Sequence, residues 1–115
     1  MRIYLLLILV PVIILIGCTQ TEQPKQTIPF EKYHNNGKPS ILGQKVQSTG
    51  KATGEWKFYA MNGILKETGY YRNGKEHGEW NKYDEQGNVI STSYYSNGKN
   101  YRTVIPWRWS VLSPF

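Results

Sequence analysis

Few residues of this sequence have the types and spacing that catalysis requires. An enzyme site needs a nucleophile with a base, a pair of carboxylates or a set of metal ligands. His34 and His77 lie in polar, turn-like segments, and neither recurs at an equivalent position of the internal repeat. Asp84 and Glu85 are adjacent, so in a strand their side chains point to opposite faces. We therefore predict that the protein is not an enzyme and has no catalytic or cofactor-binding residues.

The start of the chain has the pattern of an export signal. Met1 and Arg2 form a short basic start, and residues 3–16 carry no charged side chain. A helix over residues 3–16 extends only ~21 Å, which is less than the ~30 Å hydrocarbon core of a bilayer. A cleaved signal helix is therefore favoured, and an uncleaved anchor is the alternative.

Cys18 is the only cysteine of the chain. A disulfide needs a second cysteine, and a structural zinc site needs about four ligands, whereas the sequence offers one cysteine and two histidines. We expect no metal site. In an exported protein, such a thiol is better explained as a point of attachment than as a buried free cysteine.

Residues 15–18, with the sequence LIGC, resemble the lipobox of bacterial lipoprotein precursors. The resemblance implies a signal peptide at residues 1–17 and lipid attachment at Cys18, although Ile16 departs from the small residue usual at its position. Two or three acyl chains such as palmitate anchor stably, at ~0.8 kcal/mol per buried methylene. The implied location is the bacterial cell envelope. An outer membrane is favoured where one exists, because Thr19 is not the aspartate that retains many lipoproteins in an inner membrane.

Basic residues exceed acidic ones, with 14 Lys and Arg against 8 Asp and Glu. Five lysines fall within residues 19–53, close to the predicted anchor, while residues 54–99 are neutral. This distribution favours an anionic membrane surface, at ~1 kcal/mol per basic residue near it, and ordinary solvated lysines are the alternative. Nucleic acid is not expected as a partner, because export would separate the protein from it and because no basic stripe accompanies the aromatic residues.

The segment at residues 18–29 is polar and contains prolines, and we predict that it is a flexible tether after the lipidated cysteine. Beyond this segment, glycines recur every 11 or 13 residues. Four of them close an Asn-Gly pair, the preferred centre of a type I′ hairpin turn. The intervening segments of about six to nine residues are aromatic-rich and lack a helical stripe. The sequence therefore predicts an all-β fold, a single elongated antiparallel meander after the signal helix. The glycines are Gly37, Gly50, Gly63, Gly74, Gly87 and Gly98, and the pairs begin at Asn36, Asn62, Asn73 and Asn97.

A motif of six residues occurs twice with a displacement of 24 positions. A shorter first copy is visible in Phe30, Tyr33 and Gly37. The motif is similar to the MORN repeat in its bacterial variant, Gly-x-Trp-x-x-Tyr-x-x-x-Gly followed by Tyr-x-x-Gly. The resemblance implies about three hairpin repeats over residues 30–101, with residues 102–115 as a degenerate terminal strand or tail. The two full copies are Gly54, Trp56, Tyr59, Gly63, Tyr71 and Gly74, and Gly78, Trp80, Tyr83, Gly87, Tyr95 and Gly98.

The aromatic residues of the repeat are the candidate binding residues. In a regular strand Trp56 and Tyr59 face opposite sides, and a single sheet cannot bury both of its faces. We therefore predict partner binding through Trp56, Tyr59, Trp80 and Tyr83, and pure packing is the alternative.

These features predict an envelope-anchored lipoprotein that acts as a non-catalytic binding or scaffold module for a protein or glycan partner. The MORN resemblance also implies an alternative, an antitoxin or immunity-type protein that neutralises a cognate toxin. A hydrolase of cell-wall material is a third reading.

Overall fold

The computed structural model describes residues 23–106. The predicted signal peptide at residues 1–17, the lipid attachment site Cys18 and residues 107–115 of the predicted terminal strand lie outside the described part. Within residues 23–106, no helix has the length and apolar character needed to cross a membrane.

Residues 27–104 form one antiparallel sheet of seven strands, which follow one another in chain order. The predicted all-β meander is confirmed, and so is the predicted strand length, because the strands contain six to nine residues. The strands are β1 (Thr27–Tyr33), β2 (Pro39–Val46), β3 (Ala52–Tyr59), β4 (Leu65–Arg72), β5 (Lys75–Tyr83), β6 (Val89–Ser96) and β7 (Lys99–Val104).

The sheet extends beyond the predicted boundaries at both ends. Strand β1 begins at Thr27, inside the predicted tether, because Thr27 pairs with Val46 at the far end of β2. Strand β7 continues through Arg102 to Val104, so the predicted boundary at residue 101, between the repeats and the terminal strand or tail, falls within a strand. Six strands form three hairpins, and β7 adds one further strand at the edge.

The Asn-Gly pairs form two kinds of turn, whereas the sequence predicted one. Asn73 and Asn97 have φ values of 52° and 49°, and each is followed by a glycine with positive φ, as a type I′ turn requires. Asn36 and Asn62 do not have positive φ, although the glycines after them do. In these longer loops the asparagine side chain takes another role: Asn62 Oδ1 accepts a hydrogen bond from the Ile64 amide at 3.0 Å.

Glycine bulges turn the tryptophans toward one face of the sheet. Gly54 and Gly78 lie inside β3 and β5 with φ values of 69° and 71°. The register of β4 with β5 shifts between Thr68 and Tyr70, because β5 holds extra residues at Gly78. A glycine with positive φ is the usual device for such a bulge.

Each buried tryptophan packs flat against a glycine of the preceding strand. A Cβ atom on Gly43 would lie 2.3 Å from Trp56 Cδ2, and one on Gly69 would lie 2.1 Å from Trp80 Cδ2. We call these pairs the first and the second Trp-Gly slot. Trp56 and Trp80 are only 6% and 7% exposed, so the slots supply much of the core that a single sheet can form.

Neighbouring rings complete this aromatic face. Tyr71 stands edge-on between the two tryptophans, with ring centroids 5.3 Å from Trp56 and 5.2 Å from Trp80. Such pairs contribute ~0.5–1.5 kcal/mol each beyond their buried area. The rings of the aromatic face belong to Phe30, Trp56, Phe58, Tyr71, Trp80 and Tyr95.

The aromatic face changes character at β7. Ser93 and Val104 stand one repeat after the glycine and the tryptophan of the second slot. Ser93 instead pairs with Thr103, and their hydroxyl oxygens are 3.0 Å apart. Arg102 stands one repeat after Gly78 but does not adopt its positive φ, so β7 has no glycine bulge there. The register of β6 with β7 shifts instead at Tyr101, between the pairs made by Tyr94 and Tyr95. The hydroxyl pair of Ser93 and Thr103 therefore stands where a third Trp-Gly slot would be.

Candidate partner-binding grooves

The structure separates the four predicted binding residues into two groups. The indoles of Trp56 and Trp80 are buried in the Trp-Gly slots, so they are packing residues and do not present their rings to a partner. Their burial favours the packing alternative, because sheet twist and the small glycines allow one face to bury its largest rings. Tyr59 and Tyr83 line a groove at the ends of their strands.

The larger groove lies between the ends of the second and third hairpins. It encloses about 820 Å³ and has Tyr59 and Tyr83 in its wall, with Phe58, Ile64 and Ile90 as apolar neighbours. We call it the Tyr59–Tyr83 groove. A volume of this size falls within the ~300–1,000 Å³ that is usual for binding sites.

A second groove lies beside the first, between the ends of the first and second hairpins. It encloses about 470 Å³ and is lined by Tyr33, His34, Phe58, Tyr59 and Met61, among others. We call it the Tyr33–Tyr59 groove. Phe58 and Tyr59 line both grooves, so the two form one continuous surface.

Hydrogen bonds hold two of the groove tyrosines in place. The hydroxyls of Tyr83 and Thr68 are 2.9 Å apart. Tyr33 donates to Glu31 Oε2 at 2.5 Å, and this hydrogen bond raises the pKa of the Tyr33 phenol. Thr68 neighbours Gly69 in β4, so the Tyr83 hydroxyl lies on the face opposite the Trp-Gly slots, as the three-residue spacing predicts. Phe58 packs on Trp80 on the slot face, so the larger groove is lined at the strand ends by residues of both faces.

The first two hairpin loops are tied to each other across the smaller groove. His34 Nε2 donates to the Tyr59 carbonyl at 2.9 Å, and Asn36 Nδ2 donates to the Met61 carbonyl at 2.6 Å. Lys38 Nζ contacts the carbonyl of Asn62 at 3.2 Å. These contacts fix the distance between the walls before any ligand arrives.

The third loop is organised by Asp84. Its Oδ1 accepts hydrogen bonds from the backbone amides of Asn88 at 2.8 Å and Gln86 at 3.0 Å. Donors aimed at the charged form lower the pKa of the Asp84 carboxyl, with the Asn88 amide as the largest cause. The groove wall therefore carries a carboxylate that stays ionised at neutral pH.

Charge differs between the two grooves. The Tyr59–Tyr83 groove is lined by three acidic and two basic side chains, an excess of one negative charge. The Tyr33–Tyr59 groove has Lys32 as its only Lys, Arg, Asp or Glu, and is positive. The charged side chains of the larger groove are Glu67, Asp84, Glu85, Lys66 and Lys82.

The residues considered for catalysis are not brought together. His34 lies in the first loop and bonds a backbone carbonyl, whereas His77 lies in the middle of β5. Among residues 23–106 there is no group of three or more His, Cys, Asp and Glu side chains that could hold a metal ion.

Sequence reasoning missed two residues of the grooves, Tyr33 and Phe58. Tyr33 stands at the motif position of Tyr59 in the shorter first copy, so its recurrence was a usable signal. Phe58 precedes a register shift between β3 and β4, and nothing in the sequence pattern marks that shift.

No family model, curated protein or solved structure matches this chain.

Proposed function

We propose that this chain is a lipid-anchored lipoprotein of the bacterial cell envelope that acts as a non-catalytic binding module. The observation that carries the proposal is the pair of adjacent tyrosine-lined grooves at the strand ends of the sheet. Concave sites with apolar walls and a few polar groups are typical of ligand and partner binding. The partner is an envelope protein or glycan.

The finer architecture that we propose is an array of MORN-like hairpin repeats. Its support is that contacts recur with the sequence motif: the first Trp-Gly slot, the bulge at Gly54 and the groove tyrosine Tyr59 are each found again in the next copy, at the second slot, Gly78 and Tyr83. In such arrays each unit contacts chiefly its neighbours, and function resides in the surface the units share.

Binding through the Tyr59–Tyr83 groove is tested by removing both phenol rings. We expect the Tyr59→Ala, Tyr83→Ala double variant to lose capture of the envelope partner, since aromatic anchors commonly contribute 2 kcal/mol or more, ~30-fold in affinity. The measurement is quantitative cross-linking and capture with full-length protein in its own membrane. The matched control is the Tyr70→Ala, Tyr101→Ala double variant, which removes two exposed tyrosines that line neither groove. Equal capture by both double variants would count against the proposal.

The anchor is tested at Cys18. We expect Cys18→Ser to abolish incorporation of a labelled fatty acid and to leave residues 1–17 attached, because the thiol is the proposed acceptor of the lipid. Mass spectrometry of the mature N-terminus is the second readout. Unchanged labelling of the serine variant would overturn the assignment.

A further inference from the structure

The two grooves recur with a fixed spacing that the sheet itself imposes. Tyr33, Tyr59 and Tyr83 end β1, β3 and β5, so consecutive grooves are two strands apart. With ~4.7–4.9 Å between neighbouring strands, this spacing is ~9.4–9.8 Å, measured across the strands. A ligand that occupies both grooves must present similar groups at that interval.

One polypeptide conformation has this period. A polyproline II helix rises ~3.1 Å per residue with three residues per turn, which gives ~9.3 Å between residues i and i+3 on one side. An extended β-strand presents alternate side chains every ~6.8 Å, and an α-helix has a pitch of ~5.4 Å, so neither matches one groove interval.

We propose that the two grooves together bind a proline-rich segment of a partner protein in the polyproline II conformation. Residues i and i+3 of the segment occupy the Tyr59–Tyr83 and Tyr33–Tyr59 grooves, and the shared ring of Tyr59 lies between them. The inference rests on the proposed binding function and names the class of partner. Aromatic-lined grooves suit this conformation, because it is preformed and loses little entropy on binding.

Polar groups at the grooves fit the backbone of such a segment. A polyproline II helix makes no internal hydrogen bonds, so its carbonyl groups remain free acceptors. Asn35 and Asn62 are among the residues that line the two grooves, and their side-chain NH₂ groups are candidate donors. Asn62 uses its Oδ1 atom as an acceptor within its own loop, so the NH₂ group is the part of this side chain proposed to donate to the ligand.

Charge complementarity gives the segment a direction. The Tyr59–Tyr83 groove carries the acidic excess, with Asp84 and Glu85 in its outer loop, whereas Lys32 lines the other groove. A basic residue of the segment therefore lies beyond the residue in the Tyr59–Tyr83 groove. Sheet twist of ~20–25° per strand rotates each further groove away, so a straight helix engages two adjacent grooves and the recognised segment is short.

The test is fluorescence anisotropy of the full-length protein with a labelled peptide of about ten residues, long enough for three turns of polyproline II. The peptide has proline at every third position and arginine at the end that meets Asp84. A second peptide of the same composition has its prolines four positions apart. We expect the second peptide to bind about tenfold more weakly, since only one groove is filled at a time.

Protein variants locate the contact. Tyr59→Ala removes the side chain that both grooves share, and we expect it to lower the affinity for the first peptide at least about tenfold. Tyr59→Phe retains the ring, and we expect it to retain most of the affinity. Tyr70→Ala lies outside both grooves and serves as the control. Because the comparison of the two peptides uses the unmodified protein, it remains decisive if Tyr59→Ala fails to fold.

Failures of the two proposals are distinguishable. Equal affinity for the two peptides, or no binding of either, overturns the polyproline inference even when the double tyrosine variant loses its envelope partner. Binding of a soluble cell-wall glycan at the grooves in place of the peptide overturns it as well, and leaves the binding function intact.

Discussion

Gly43 and Gly69 determine where the two buried tryptophans lie. Both glycines occupy strand interiors, where the residue usually weakens a sheet because it has no side chain to pack. Here the absence of a side chain creates the slot, since any Cβ would overlap an indole. The loss of intrinsic strand preference is offset by burial of the largest side chain in the repeat.

A methyl group in the second slot is expected to destabilise the fold. Gly69→Ala places a Cβ about where the Trp80 ring lies, so the ring or the strand must move, and we expect the free energy of unfolding to fall by roughly 1–3 kcal/mol. Urea titration followed by circular dichroism measures the change. Ser93→Ala, one repeat later and outside a slot, is the matched control and should lose less than about 1 kcal/mol. If the Gly69→Ala protein were as stable as the unmodified one, the close packing of Trp80 against Gly69 would be contradicted.

The Asn-Gly pairs adopt two different backbone conformations because the loops that contain them differ in length. The turns at Asn73 and Asn97 join strands directly and need positive φ at both residues. The loop that contains Asn62 is longer, and only its glycine takes positive φ. There the asparagine contributes through its side-chain oxygen, which accepts the Ile64 amide.

Replacing each asparagine with glycine separates the two roles. Asn73→Gly keeps access to positive φ, so we expect a change of less than about 0.5 kcal/mol in the free energy of unfolding. Asn62→Gly removes the acceptor of the Ile64 amide and is expected to cost about 1 kcal/mol. Thermal unfolding of the two variants measures the difference. The reverse order of stability would show that the turns were assigned the wrong way round.

The fold of residues 23–106 was largely predictable from the glycines and aromatic residues of the chain. The spacing of Gly37, Gly50, Gly63, Gly74, Gly87 and Gly98 predicted the hairpins, and all six glycines have positive φ. Recurrence of the tyrosines singled out Tyr59 and Tyr83 as candidate binding residues, and both line the larger groove. Local turn chemistry sufficed for these features, because each strand pairs with the strand next to it in the chain.

Burial of the tryptophans was not predictable from alternation along single strands. It depends on Gly43 and Gly69, which lie in other strands and belong to no turn. The two glycines are 26 residues apart, the same displacement that relates Phe30 to Trp56, so the shorter first copy carried a signal for them. The beginning of the sheet at Thr27 was missed because a polar segment with prolines resembles a linker until its pairing partner is known.

Because each strand contacts mainly the strands next to it in sequence, we expect the destabilising effect of a core substitution to stay local. The strongest contacts of every strand are with the strands before and after it in the sequence. We expect Trp80→Ala to reduce amide hydrogen-exchange protection in β4, β5 and β6 more than in β1 and β2. Trp56→Ala serves as the mirror-image control, with the larger effect in β2, β3 and β4. Equal loss throughout the sheet in both variants would indicate a single cooperative unit.

The Trp-Gly slot also constrains the order in which a copy of the motif can diverge during evolution. If the glycine mutates first, its new side chain collides with an indole that is still present, and the intermediate carries a steric conflict. If the tryptophan is replaced by a smaller residue first, the intermediate has a void but no steric overlap. A later substitution of the glycine by a larger residue can then fill that void. We therefore expect decaying copies to lose the large ring before the small residue, which makes a glycine without its tryptophan the transitional form to look for in related arrays.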